Sequence, residues 1–100
     1  MDAKITFTVE NLPFLDEIET APAMIAAREA KDAVLVPTLQ NKLGAAIKSL
    51  KKLAAMPDAN WKRESYLIAN QVQSYTGKRP TSRQEAIALL LDLLNTTWNA

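Results

Sequence analysis

The stretch Thr76–Trp98, TGKRPTSRQEAIALLLDLLNTTW, decides how this chain folds. Its basic opening gathers Lys78, Arg79 and Arg83 around Pro80. Ser82-Arg83-Gln84-Glu85 then has the form of a capping box, in which a serine oxygen takes the amide of the third helical residue and a glutamate reaches back to the cap. A helix therefore starts at Ser82. On its wheel Ile87, Leu90, Leu91, Leu94 and Trp98 make one apolar stripe, and Ala86, Leu89 and Leu93 make a second beside it. Together they cover about two thirds of the circumference, whereas a surface helix on a small monomer needs one stripe a little over 100° wide. A C-terminal helix commonly packs on the outside of a domain. The expectation is that one stripe joins a core and that Ala86, Leu89, Leu93 and Trp98 meet another chain, either a second copy or a different protein.

Working back from Thr76, Gly77 suits the left-handed position just past a helix end. Asn60 is a suitable N-cap for a helix running to Tyr75, with Trp61, Leu67, Ile68 and Val72 turned inward. Pro57-Asp58-Ala59 is a turn. Pro37 opens a long helix ending near Met56. Its residues Leu39, Leu43, Ala46, Ile47, Leu50, Leu53 and Ala54 fall within an arc of about 120°, with Lys48, Lys51 and Lys52 outside it. Gly44 within that helix marks a close approach by a neighbour. Further back the pattern changes. Lys4–Glu10 alternates, with Ile5, Phe7 and Val9 on one side, as a half-buried strand does. Asn11-Leu12-Pro13 stops it, and Phe14–Thr20 forms a short helix. Ala23–Val36 is ambiguous, because its alanines favour helix while Val34–Val36 can pair as a second strand. The fold class expected is mainly α, with one or two short N-terminal β-strands on a single-domain helical bundle. Its core is expected to hold Phe7, Phe14, Leu43, Ile47, Leu50, Ile68, Val72, Ile87, Leu90, Leu91 and Leu94.

The composition fits one small globular domain: 100 residues, 48% of them hydrophobic, with only two glycines and five prolines. Neither cysteine nor histidine occurs. This removes disulfides, thiolate chemistry, the usual proton shuttle and the commonest metal ligand. The N-terminus lacks the basic segment and apolar run of a secretory signal. No apolar run approaches the ~18 residues of a membrane span, so the expected setting is cytoplasmic, with no membrane partner. The net charge of +1 is uneven. Residues 1–36 hold seven acids and three bases (−4), residues 37–83 nine bases and two acids (+7), and the remainder two acids (−2). Such a split marks a nucleic-acid face, two chains meeting head to tail, or a solvated helix surface.

Catalysis has little to stand on. Acid–base work needs a carboxylate pair or a histidine in a cleft, and Asp16, Glu17 and Glu19 read as a solvated helix face. No oxygen-ligand spacing for a metal is visible, no cofactor is implied, and the chain reads as no enzyme. The basic junction could hold a phosphate at a helix N-terminus. The capping box, however, already uses two donors there, and Glu85 places a negative charge in the same spot.

Two resemblances extend this reading. A short N-terminal strand, the loop NLPFLDEIE, the long helix LQNKLGAAIKSLKKLAAMP, a tryptophan and a basic TG-x-x-P segment together resemble small tailed-phage virion proteins of the minor capsid, head–tail connection and tail-completion type. That likeness, over residues 4–80, implies a non-catalytic, self-associating phage or prophage component, found in the cytoplasm or in a virion. Separately, SRQEAIALLL resembles the second helix of ribbon–helix–helix repressors. This implies the alternative, a small nucleic-acid-binding regulator contacting its target through Lys48, Lys51, Lys52, Lys62, Arg63, Lys78, Arg79 and Arg83.

Overall fold

A computed structural model of the chain describes residues 6–100. They form two 3-10 helices, Val9–Asn11 and Leu15–Thr20, followed by four α-helices: α1 (Pro22–Glu29), α2 (Leu35–Ala55), α3 (Asp58–Thr76) and α4 (Arg83–Asn99). The mainly α expectation holds. The β-strands do not, for no strand occurs among the described residues; Lys4 and Ile5 lie outside them.

The physical reason is instructive. Thr6, Thr8 and Glu10 are exposed while Phe7 is buried, so the alternation is real. What the segment lacks among the described residues is a second strand. The Phe7 N–H donates to the Asn95 side-chain oxygen at 2.6 Å, and the Asn95 amide nitrogen donates back to the Phe7 carbonyl at 3.2 Å. One side-chain amide on α4 thus replaces a strand partner. The Phe7 ring meets Trp98 edge-on, with centroids 4.9 Å apart, a favourable aromatic geometry. Trp98 Nε1 is buried with no hydrogen-bond partner among the described residues.

The second expected strand, Val34–Val36, is drawn into helix instead. The α1 helix ends with Lys31 at φ 54, the left-handed region. Lys31 N–H then donates to the Arg28 carbonyl at 3.0 Å and Asp32 N–H to the Ala27 carbonyl at 3.1 Å, the bonding of a Schellman stop. Asp32 next accepts the amides of Val34 and Leu35 through its carboxylate, at 3.1 and 2.9 Å. These are first-turn donors with no partner inside the helix, and so α2 starts at Leu35 rather than Pro37. Pro37 falls within the first turn, where its missing N–H costs nothing.

The α2 stripe packs as its spacing requires: Leu39, Leu43, Ala46, Ile47, Leu50 and Leu53 are all buried, whereas Ala54 is exposed. Gly44 is not a close approach, since a Cβ built there would meet nothing within 4 Å. Helix α3 begins right after Pro57 and not at Asn60, and Gly77 ends it at φ 79. At α4 the Ser82 hydroxyl accepts the Glu85 amide at 3.1 Å, as the capping box requires. The Glu85 carboxylate, for its part, accepts from the Thr81 hydroxyl at 3.1 Å.

Helix α4 packs against α1, α2 and α3, while α1 and the second 3-10 helix lie on α2. The C-terminal helix is therefore central rather than peripheral, which explains its apolar width. Ala86, Leu90, Leu94 and Trp98 are buried, and Ile87, Leu89, Leu91 and Leu93 pack half-buried around them. Of the expected core, Phe14 is misplaced at 66% exposure, and Leu67 of the expected inward face of α3 is 71% exposed.

Candidate functional site

The eight basic residues marked as nucleic-acid contacts do not converge. Lys48 and Lys52 line an open cleft of about 330 Å³ between α2 and α3, with Ala45, Ser49, Gln71 and Tyr75. Lys51 turns elsewhere, its Nζ 5.3 Å from the centre of the Phe14 ring. Arg83 is committed to structure. Its Nε donates to Asp58 at 3.0 Å and its Nη1 to the Leu53 carbonyl at 2.9 Å, so one guanidinium ties the end of α2 and the first turn of α3 to the start of α4. Lys62 borders the cleft beside that pin, together with Asp58, Trp61 and Ser82. Asp58 there places a second carboxylate near the junction where a phosphate was weighed. Lys78 lies by Tyr75, Leu89, Asp92 and Leu93.

Arg79 belongs to a different surface. Its guanidinium stacks 5.4 Å from the centre of the Tyr66 ring, and it donates to Asn70 and, at 3.3 Å, to Gln73. Tyr66, Asn70 and Gln73 share the outer side of α3 with Arg63 and Leu67, one helical turn apart. Tyr66 and Leu67 are 70% and 71% exposed. Glu64 stands half-buried on another side of the helix, so this outer face carries cations, an aromatic ring and a leucine but no acid.

The four residues expected at an interface on α4 differ in burial. Ala86 and Trp98, at 0% and 3% exposure, are inside the chain's own core. Leu89 and Leu93 are half-buried against that core and line an open cleft with Tyr75 and Thr76 of α3 and with Lys78 beyond it. The second stripe is thus partly enclosed by the chain itself, with Leu89 and Leu93 still half-open.

Large apolar side chains are open elsewhere. Phe14 and Leu15 are 66% and 49% exposed on the second 3-10 helix, and Val34 is 76% exposed at the start of α2. Asp16 and Glu17, next along the same 3-10 helix, are exposed as well. Glu19 anchors this helix: it takes Arg28 bidentately at 2.6 and 2.9 Å and the Gln40 amide at 3.1 Å. The Arg28 hydrogen bonds, followed by that from Gln40, hold the Glu19 carboxyl below the usual carboxylate range.

The exposed pairs Tyr66–Leu67 and Phe14–Leu15 are the surface features that sequence reading missed. A signal existed for one of them. Leu67 sits about 100–140° around the wheel from Ile68 and Val72, so those three cannot share a narrow inward face.

Among the described residues no three His, Cys, Asp or Glu side chains gather so as to hold a metal ion. No described helix is long and apolar enough to cross a membrane. No protein-family model matches the chain, and neither curated proteins nor solved structures give a match.

Proposed function

We propose that this chain is a non-catalytic protein–protein interaction module that self-associates. Following the resemblance in element order, its setting is a phage or prophage structural or accessory assembly. The observation that carries the reading is the exposure of Phe14, Val34, Tyr66 and Leu67, each two thirds open or more, on a chain of 100 residues. Large apolar groups left in water beside charged neighbours are what a partner covers. Light scattering across a dilution series tests it. The expected result is a mass above the 11.0 kDa of one chain at tens of micromolar, falling toward that value on dilution. A mass of one chain throughout would overturn it.

A second reading, a small nucleic-acid-binding regulator, is favoured by the cleft in which Lys48 and Lys52 stand beside Ser49, Gln71 and Tyr75. These groups can all donate hydrogen bonds to a phosphate. A regulator would bind mixed duplex DNA with an affinity falling steeply with salt, close to one unit of slope per neutralised phosphate. Lys48→Glu with Lys52→Glu would abolish that retention. Absence of retention in the unaltered chain, or its survival in the double variant, would eliminate this reading.

A further inference from the structure

We infer that the outer face of α3 is the docking surface for a second copy of this chain, and that it receives that copy's Phe14–Glu17 ridge, so that copies join head to tail. This rests on the self-association proposed above and names its two halves.

The two surfaces differ in charge. The outer face of α3 carries two bases, Arg63 and the Arg79 stacked on Tyr66, while Lys62 and Lys78 line other clefts. The ridge carries two exposed acids, Asp16 and Glu17, while Glu19 beyond them is paired with Arg28. Each region also presents an exposed apolar pair, Tyr66–Leu67 in the first and Phe14–Leu15 in the second. Either surface placed against its own copy would set like charges face to face, which costs association energy and works against a two-fold contact. Placed against each other, they bring Arg63 and Arg79 toward Asp16 and Glu17 while the four apolar side chains leave water.

The fold permits this pairing. Helix α3 packs on α4, whereas the ridge packs on α2 and α1. The two surfaces thus sit on different elements, and one copy can use both at once. A contact of standard size covers about 800 Å² on each partner, roughly an eighth of the 6414 Å² of surface here. Lys51, over the Phe14 ring, is the base that flanks the ridge.

The test uses two full-length variants. One changes the α3 face, Arg63→Glu with Leu67→Ser; the other changes the ridge, Asp16→Lys with Glu17→Lys. All four positions are exposed, and circular dichroism and tryptophan emission check that each variant keeps its fold. Each alone is expected to weaken self-association tenfold or more. An equimolar mixture is expected to recover one contact, between the intact ridge of the first variant and the intact α3 face of the second, and to give a mass near two chains. Added salt should weaken the unaltered assembly, because the facing charges are opposite. Should the unaltered chain have the mass of one chain throughout, self-association itself is wrong. Where it associates but the folded variants do so equally well, the mixture stays at one chain, or salt strengthens the assembly, the head-to-tail contact alone is wrong. Salt-sensitive retention of duplex DNA that is lost on Arg63→Glu, in a chain whose assembly that change leaves alone, would assign the α3 face to nucleic acid and overturn the inference.

Discussion

Glu19 shows what one side chain does in this fold. It fixes the second 3-10 helix to α1 through Arg28 and to α2 through Gln40. Its carboxyl is held below the usual value of 4.5 first by Arg28 and then by Gln40. A carboxyl whose folded value is lowered adds stability that is fully present above the unfolded value and is lost as pH falls through the folded one. Thermal melts taken from neutral pH downward should show part of the acid destabilisation setting in below pH 4.5, and Glu19→Gln should remove that part. An unchanged acid limb in the variant would show that the bridge contributes nothing. Gly44 offers the opposite kind of change. It lies in the middle of α2 with open space where a Cβ would stand, and glycine costs a helix about 1 kcal/mol relative to alanine. Gly44→Ala is expected to raise the denaturation free energy by about that amount, measured by urea titration. A loss would mean that a neighbour approaches there.

Among the elements, α4 and α3 exchange the roles that their wheels suggest. The width of the α4 apolar surface reads equally as one face for a core and one for a partner, or as a helix enclosed by its own chain. Which of these holds depends on where α1, α2 and α3 pack, and no local pattern carries that. Leu93 is therefore expected to act through stability. Leu93→Ala should cost about 1–2 kcal/mol, below the range for fully buried leucines since it is only half-buried, and leave the mass in solution unchanged. Leu67→Ala should do the reverse: a stability change within about 0.5 kcal/mol and a clear loss of self-association. Denaturation and light scattering on the same two variants decide it, and a fall in mass with Leu93→Ala alone would return the interface to α4. Legibility followed the range of the determining contacts. The α2 stripe, the Ser82 cap and the Gly77 stop could be read because each is set by residues within a few positions of itself. The start of α2 was missed because Asp32 captures the amides of Val34 and Leu35 from outside the apolar pattern. The strand was misread because its partner, Asn95, is 88 residues from Phe7. The basic residues were legible as charges but not as places, and Arg83 proved to be a pin between three helices.

At the scale of the whole molecule, the Phe7 seat closes the core from one end of the described chain to the other. Phe7→Ala removes the ring that meets Trp98 and leaves a cavity. The expected cost is about 3 kcal/mol, at the low end of the range for buried phenylalanine because the seat lies at the margin of the core. The emission of the two tryptophans, Trp61 and Trp98, should shift to the red as water reaches Trp98. A variant with unchanged stability and emission would show that the segment does not hold the core shut. The span of this contact also sets an order of events during synthesis. Helices α1, α2 and α3 can each begin to form as they emerge, but Phe7 has nowhere to go until Asn95 and Trp98 have been made. At roughly 5–20 residues per second, the 88 residues separating Phe7 from Asn95 impose a wait on the order of ten seconds. Throughout that interval the nascent chain displays an aromatic side chain on an extended, strand-like segment, the form most open to capture by a chaperone or by the same segment of a neighbouring nascent chain on the same message.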